Sequence, residues 1–490
     1  MKTKNISRRH SKKNQKINKS KTHKTKTHKT KSHKTKSHKT KSHKIKKHTD
    51  YLPTEQPLKL YKNHQDTRLL IMPYRNDTST ASIYFNFKVG SKNEPKHISG
   101  ISHFIEHLIF KGSPKYPNYL DISKTFDANG ISFNAYTSKD TTAYHYKFLS
   151  TKENLDIICK ITSDMIMNPF MREKDIKTER NVIIQEYNDD ADDVDEYIDE
   201  KIEERLLDGH PLSYPIIGTL KTINDINRKE IVDYHKKYYR PDNLVIGFSG
   251  RMRDEYFPLI EKYFGGSKTY KSIETNIQGI SEITPFVDKH LKYEVECFPK
   301  DLKQDYIHII FKTKGYFDPM RNYHKLLSNI LGSNMSSRLF VEVREKLGLV
   351  YSIKCDTTTY EEIGYFDIIT QNESKDTLKC IKAIFKELVK IKKELVSESE
   401  LKANKKNYCD IYQTSFDDIE YEVEHYSRQI LMNRPIETIK MRVDSIQKIT
   451  SQDIQNAAKE LFDFNKVHII TFGKAKKNKI QSIVDKYIKI

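Results

Sequence analysis

Apolar and polar residues recur with two periods along the chain, one typical of amphipathic helices and one typical of half-buried strands. Two segments repeat one design, an amphipathic helix followed by a hydrophobic strand that ends VIGFSG at Gly250 and IITFG at Gly473. A gapless offset of 223 residues superposes these two glycines, and IYFNFKVGS at 83–91 resembles IHIIFKTKG at 307–315. We therefore predict an α+β fold of two tandem similar α/β domains, each a mostly antiparallel sheet packed with helices.

The boundary between the two domains is expected where Ser, Thr, Asn and Gly collect, between about Lys268 and Glu282. This gives an N-terminal domain at 50–272 and a C-terminal domain at 273–490. Together they are too long for one ordinary core, so two domains of about 200 residues are the natural expectation.

The stretch GISHFIEHLIF has a marked helical pattern. His103, Glu106, His107 and Phe110 share one stripe of the helix, and apolar residues fill the opposite stripe. Two histidines at i and i+4 can bind one metal ion, and the Glu beside them is placed to hold a water. H-x-x-E-H is a zinc-peptidase signature that inverts the commoner H-E-x-x-H. The sequence therefore predicts a metal site on this helix. The simpler, alternative interpretation is a surface helix with two incidental histidines.

The second domain provides an internal comparison for this helix. At the same offset, the three motif residues fall near Leu326, Asn329 and Ile330, inside the helix-like run HKLLSNILG. We therefore expect the second domain to keep the helix and to lack the metal ligands.

A third metal ligand should come from elsewhere in the first domain. The run ERNVIIQE is helical in pattern, and its end residues Glu179 and Glu186 lie seven residues apart on one face. Because about 10 Å separates them along the axis, only one can bind the metal directly. The other is placed to hydrogen-bond a histidine ring and fix its tautomer.

A β-hairpin is predicted after the motif helix, from Gly130 to Phe148, with its turn around Ser138 to Asp140. A strand near the metal is suited to accept an extended peptide by β-addition, and the alternative is an ordinary hairpin. Its substrate-binding candidates are Asn134, Ala135 and Thr137.

The net charge of the chain comes from its first residues. Residues 1–49 contain 18 Lys, 2 Arg and 7 His and no acidic residue, a formal charge of +20 that equals that of the whole chain. With almost no apolar residue this tail is predicted to be disordered. The charge of the tail favours contact with nucleic acid or another polyanion, and its Lys density favours nuclear import. Its spaced histidines favour weak metal binding. A solvating extension without any of these functions is an equal alternative. Six histidines recur every five residues: His23, His28, His33, His38, His43 and His48.

The sequence also bears on the compartment. We expect a soluble intracellular protein with no membrane contact, because there is no secretory signal and no apolar run of 18 residues. The lack of an apolar helical face in the tail argues against a mitochondrial presequence. The cysteines number 5 and show no CxxC spacing, which suits a reducing compartment.

Several of these motifs together resemble the insulinase and mitochondrial processing peptidase family of inverted-motif zinc metallopeptidases. HFIEH, NAYTSKDTTAY, ERNVIIQE and HPLSYPIIGT occur in the order of the family, within a similarity that runs from about residue 60 to residue 475. The resemblance implies that one Zn²⁺ ion per chain is bound by His103, His107 and Glu186, that Glu106 is the general base, and that Glu179 is the supporting carboxylate.

Two further expectations rest on the resemblance. The run SSRLFVEVREKLGLVYSI resembles the C-terminal signature of the family. This resemblance implies that Arg344 and Tyr351 are catalytic residues that reach the active site from the second domain. Processing-type members recognise Arg with acids shortly after the zinc-binding Glu, and Glu196 and Glu200 stand at about that place. The simpler interpretation of this acidic stretch is a solvated helix face.

The predicted function is therefore zinc-dependent endopeptidase activity on extended or unfolded peptides. Nothing in the sequence resembles a Ser or Cys nucleophile elbow or a phosphate-binding loop. The alternative is a non-catalytic scaffold or assembly subunit of a peptidase-like complex. By resemblance, the chain is expected to form a homodimer or a heterodimer with a similar chain.

Overall fold

The computed structural model describes residues 58–72, 75, 77–265, 270–273, 286–289 and 292–489. The predicted basic tail lies outside the described residues. Within them, no helix has the length and apolar character needed to cross a membrane.

The first half forms a sheet of seven strands in the order β4-β5-β3-β6-β2-β1-β7, antiparallel except for the β2–β6 pair. Its strands are β1 (Lys59–Lys62), β2 (Arg68–Ile71), β3 (Thr80–Phe87), β4 (Ser132–Thr137), β5 (Thr142–Leu149), β6 (Leu244–Gly250) and β7 (Lys271–Ile273). Its helices are α1 (Ile101–Ile109), α2 (Tyr119–Ala128), α3 (Lys152–Met167), α4 (Glu173–Asp192), α5 (Val194–Leu206), α6 (Leu220–Asp225), α7 (Arg228–Tyr238) and α8 (Tyr256–Phe264).

The second half forms a sheet of five strands in the order β10-β11-β9-β12-β8, antiparallel except for the β8–β12 pair. Its strands are β8 (Glu294–Pro299), β9 (Asp305–Lys314), β10 (Ile353–Thr359), β11 (Ile363–Asn372) and β12 (His468–Gly473). Its helices are α9 (Arg321–Gly332), α10 (Thr377–Lys393), α11 (Glu398–Ser415), α12 (Ile419–Leu431), α13 (Ile439–Lys448), α14 (Ser451–Leu461) and α15 (Lys477–Tyr487), with a short π-helix at Phe340–Lys346.

The two sheets repeat one topology, which confirms the predicted fold of two similar α/β units. The run β4-β5-β3-β6-β2 corresponds strand by strand to β10-β11-β9-β12-β8, including the single parallel pair. The two repeated sequence segments form β6 and β12, which occupy equivalent places. The predicted hairpin is also confirmed, because β4 and β5 pair from Ser132–Lys147 to Thr137–Thr142. The predicted domain boundary after residue 272 falls inside β7.

The two halves exchange one helix each, which the sequence did not predict. Helix α12 of the second half packs Val423, Tyr426 and Ile430 on the outer face of the first sheet. The approach is close: a Cβ atom at Gly247 of β6 would lie 2.7 Å from a methyl carbon of Val423. Each such buried apolar side chain stabilises the fold by about 1.5–3 kcal/mol.

Helix α5 of the first half makes the reciprocal contact. Its Ile198, Ile202 and Leu206 are buried against Ile310 and Ile470 of the second sheet. The metal-motif helix packs on the opposite face of the first sheet, in that sheet's main core.

Candidate metal centre

The motif helix α1 is fixed at its start. It begins at Ile101 after Gly100, whose φ of 97° is left-handed. A Cβ atom at Gly100 would lie 2.5 Å from the carbonyl oxygen of Ile217, so a larger residue does not fit. The buried carboxylate of Glu94 accepts hydrogen bonds from the N–H groups of Gly100 and Ser102, at 2.6 and 2.8 Å. These bonds satisfy two donors that a helix start leaves without partners.

The polar stripe of α1 meets α4. His103 Nε2 lies 3.7 Å and His107 Nε2 lies 3.4 Å from Glu186 Oε2. One donor atom from each of the three residues lies within 4.8 Å of the other two. Among the described residues, this is the one group of three or more His, Cys, Asp or Glu side chains with metal-binding geometry. The structure thus brings together the three residues that the resemblance named as ligands.

Glu179 contacts the other nitrogen of the His107 ring. Its Oε2 lies 3.3 Å from His107 Nδ1, and its Oε1 lies 2.5 Å from Lys111 Nζ. Burial alone would raise the pKa of Glu179, but His107 and Lys111 hold it below its ordinary value. Glu179 therefore stays ionised and orients the imidazole of His107, as carboxylates behind metal-binding histidines do.

The protonation of the two histidines differs. Burial, and then the charge of His107, lower the pKa of His103 to about 4, so this ring is neutral near pH 7. Burial alone would also lower the pKa of His107, but Glu179 and Glu186 raise it to about 9. Carboxylates that stabilise a proton on His107 also favour a metal cation that displaces this proton.

The donor set fits a zinc ion. His107 Nε2 is buried 3.4 Å from Glu186 Oε2, in a geometry that makes no regular hydrogen bond, and a bound cation would satisfy this nitrogen. Two imidazoles and one carboxylate are a known ligand set of catalytic zinc and leave a further position for water. His103, His107 and Glu186 are the residues that would hold the ion.

Glu106 lies on the same helix, between the two histidines, and is 3% exposed. Its Oε2 accepts a hydrogen bond of 2.6 Å from Thr137 Oγ1 of β4. Burial raises the pKa of Glu106 to about 7, although His107 and the Thr137 hydroxyl lower it in part. A carboxylate with a pKa close to the working pH is suited to accept and return a proton.

The other hairpin candidates, Asn134 and Ala135, share β4 with Thr137, and β4 is an end strand of the first sheet. No strand of the described residues pairs with its outer edge. Asn134 Oδ1 accepts the N–H of Ala135 at 2.9 Å, and the Ala135 side chain is buried. The hydroxyl of Thr137 is engaged with Glu106, which gives this residue a role that the sequence did not predict. Substrate binding by this strand stays a prediction.

The acidic candidates Glu196 and Glu200 lie half-buried on α5. Burial raises the pKa of Glu200. Asp190, one helical turn beyond Glu186, has its pKa raised to about 7 by burial and then by the charges of Glu186, Glu196 and Glu200. The structure therefore gathers these carboxylates near the end of α4 that carries the candidate ligand.

Arg344 and Tyr351 lie together in the second half, before β10. The guanidinium carbon of Arg344 is 5.4 Å from the ring centre of Tyr351 and 4.5 Å from that of Phe340. Tyr351 is 64% exposed. The two residues contact each other, and their action on a substrate stays a prediction.

Two contributors to this site were missed from the sequence. Lys111 Nζ pairs with Glu179 Oε1. The i+4 spacing between His107 and Lys111 was a sequence signal that Lys111 lies on the same side as His107. Glu94 caps α1 from a preceding loop, and no sequence pattern marks a contact of that kind.

The chain is similar to known families and proteins. Residues 70–220 match the family model described as insulinase (peptidase family M16), and residues 225–408 match the model described as the peptidase M16 inactive domain. An uncharacterised zinc protease of Rickettsia bellii is 30% identical over 397 residues, which cover 80% of this chain and 91% of that protein. An uncharacterised zinc protease of Bacillus subtilis is 26% identical over 409 residues, which cover 83% of this chain and 96% of that protein.

Solved structures show the same fold. A protease from Helicobacter pylori superposes with a TM-score of 0.76 at 21% identity and covers 85% of this chain and 99% of its own. A peptidase M16 inactive domain from Pseudomonas fluorescens gives a TM-score of 0.74 at 18% identity and covers 86% and 99% of the two chains.

The chain belongs to the insulinase family of peptidases, family M16. The motif helix and its ligands fall in the part that matches the insulinase model. The part that matches the inactive-domain model contains α9, where Leu326, Asn329 and Ile330 stand near the positions of the three motif residues at the offset of 223.

Proposed function

We propose that this chain is a zinc-dependent endopeptidase that hydrolyses peptide bonds in extended or unfolded peptides. The observation that supports this most is the convergence of His103, His107 and Glu186, with Glu106 between the two histidines on α1. The names of its relatives, zinc proteases, favour the same reaction.

A zinc ion held by these ligands would bring the pKa of a water toward neutrality and polarise the scissile carbonyl. Glu106 takes a proton from the attacking water and later gives it to the leaving amine. Thr137 donates a hydrogen bond to Oε2 of Glu106 and so fixes the orientation of this carboxylate. No side chain of the protein forms a covalent bond with the substrate.

The outer edge of β4 is the place that we propose for the substrate. An extended peptide that pairs with this edge gains main-chain hydrogen bonds, whose strength depends little on its sequence. The Thr137–Glu106 bond connects this strand directly to the proposed base. Binding at β4 would therefore bring the peptide bond toward the metal ligands on α1.

The test is digestion of a mixed peptide library by the purified full chain, with and without a chelator, read by mass spectrometry. We expect products that disappear with the chelator and return with added zinc. A non-catalytic scaffold or assembly subunit, the alternative, would give no products even if each chain held one zinc ion.

Replacement of Thr137 by Val is expected to raise the pKa of Glu106, because the lost hydrogen bond lowers that pKa in the native chain. Glu106 acts as a base only when ionised, so the acid limb of the pH profile of kcat/KM should move to higher pH. At neutral pH, activity should fall by roughly 3- to 10-fold. Thr178→Val, which changes an exposed hydroxyl on α4, is the matched control. An acid limb unmoved by Thr137→Val would refute this role.

A preference for Arg or Lys near the cleaved bond is expected from the carboxylates beyond Glu186. Glu196 and Glu200 are one helical turn apart and half-buried, so both can face one guanidinium in a partly desolvated cleft. In the library digest, the enrichment of basic residues should weaken with salt and with the double change Glu196→Gln and Glu200→Gln. Enrichment that survives the double change would contradict the assignment and leave these residues as a solvated helix face.

A further inference from the structure

The turn between β4 and β5, Ser138–Thr141, follows Thr137 directly and is held by the first half through its backbone. Ser91 N donates to Ser138 O at 3.1 Å, and Lys92 N donates to Lys139 O at 2.9 Å. A Cβ atom at Gly90 would lie 2.2 Å from Ser138 O, so this close contact needs glycine. The turn is thus packed backbone against backbone on one side.

A second contact holds the turn through the side chain of Lys139. Its Nζ donates to the carbonyl oxygen of Tyr214 at 2.6 Å and lies 3.0 Å from Glu203 Oε2 on α5. The other oxygen of Glu203 accepts a hydrogen bond from the hydroxyl of Tyr360, in the second half. Lys139 is 6% exposed, so this ion pair is shielded from solvent.

The third contact comes directly from the exchanged helix of the second half. Arg428 Nη2 of α12 donates to Asp140 Oδ1 at 2.7 Å, and Asp140 is fully buried. Burial alone would raise the pKa of Asp140, but Arg428, Lys92 and Arg434 hold it below its ordinary value. A fully buried carboxylate needs such a partner, because removal of one member of a buried pair leaves an uncompensated charge.

We propose that Arg428 is a positioning residue for the general base Glu106, acting from the second half through Asp140, the hairpin turn and Thr137. This inference rests on the proposed function. Asp140 is three residues from Thr137, whose hydroxyl holds Glu106 at 2.6 Å. Release of the turn from α12 shifts Thr137, and small displacements of a catalytic group lower the rate strongly. Arg428 thus takes part in the reaction without touching the substrate.

A matched control exists on the same two elements. Lys147 of β5 pairs with Glu420 of α12 at 2.8 Å, remote from the turn, with side chains 42% and 28% exposed. It joins the same hairpin to the same helix, but it has no contact with the turn that leads to Thr137. Lys147→Met therefore removes an ion pair between the halves and leaves the turn in place.

The experiment uses the zinc-loaded full chain at a temperature well below its unfolding midpoint. Arg428→Met is expected to lower kcat about 10-fold or more, with KM and zinc content little changed. Arg428→Lys should recover part of the loss, and Lys147→Met should have no effect. Asp140→Asn, which keeps the size of the side chain, should reproduce the loss if Arg428→Met does not fold. Equal effects of Arg428→Met and Lys147→Met on kcat would overturn the proposal.

A double change separates positioning from general destabilisation. If Arg428 acts through Thr137, then Arg428→Met should cost little further activity once Thr137→Val is present. A purely structural role predicts that the two losses multiply, and that result would refute the proposal.

Hydrogen exchange provides a measurement independent of activity. Amides around Ser138–Thr141 should exchange faster in Arg428→Met than in the wild type and in Lys147→Met. Unchanged exchange there would overturn the proposal even in an active enzyme. Absence of zinc-dependent hydrolysis by the wild type would instead contradict the proposed function, and the exchange data would still show whether α12 holds the turn.

Discussion

Replacement of Glu106 by Gln is expected to leave one zinc ion per chain and to lower kcat by about 10²- to 10⁴-fold. The change removes the group that accepts the proton of the attacking water, while His103, His107 and Glu186 remain. The amide of Gln keeps an oxygen that can accept the Thr137 hydrogen bond, so the fold around α1 should be preserved. The measurement is steady-state hydrolysis of a peptide found in the library digest, together with metal analysis of the same sample.

The matched control for this change is Glu153→Gln, which alters an exposed carboxylate near the start of α3. Its activity should equal that of the wild type. Near-normal turnover by a zinc-loaded Glu106→Gln preparation would show that another group accepts the proton. Loss of zinc from this variant would show instead that Glu106 contributes to metal binding.

Local periodicity was sufficient to predict the elements that carry the site. The motif helix, the hairpin and the helix with Glu179 and Glu186 each have a pattern that can be read within about 20 residues, because helix and strand periods are short. The duplication could be predicted as well, since β6 and β12 have similar sequences at a fixed offset. The metal ligands converge because these local elements pack together.

Contacts between distant parts of the chain could not be read in this way. Arg428 and Asp140 are 288 residues apart, and nothing near either residue indicates the other. The exchange of α5 and α12 could not be predicted either. An amphipathic pattern predicts that one face of a helix is buried, but it does not indicate which sheet covers that face. Helix α12 also lies beyond residue 408, outside both ranges that match the family models.

The exchange of helices has a consequence for how the two halves depend on each other. Each sheet buries one face under a helix of the other half, so either half alone would expose that apolar face. The second half, through α12, is therefore needed to cover the sheet that supports the metal ligands.

Substitution of a metal ligand should lower the zinc affinity of the chain much more than substitution of Glu179. His103→Ala, His107→Ala and Glu186→Ala are each expected to lose the zinc, because each removes one of three donor atoms that lie within 4.8 Å of each other. Glu179→Ala should retain the ion and weaken its affinity by about 10- to 100-fold, because Glu179 contacts the ring nitrogen of His107 that faces away from Glu186. A competition titration with a chromophoric zinc chelator measures both effects without any activity assay.

Thermal unfolding provides an independent measurement of zinc binding by the Glu186 and Glu179 variants. A ligand that binds only the folded chain stabilises it by about 4 kcal/mol at a concentration 1,000 times its Kd, so zinc should raise the Tm of the wild type. The zinc-dependent rise should vanish in Glu186→Ala, shrink in Glu179→Ala and stay complete in Glu173→Ala, an exposed carboxylate on the same helix. If Glu179→Ala abolishes the rise while Glu186→Ala preserves it, the two carboxylates have been assigned in reverse. In that case Glu179 and His107 Nδ1 would be the residues that hold the metal. Lys111, whose Nζ lies 2.5 Å from Glu179 Oε1, would then have to move aside.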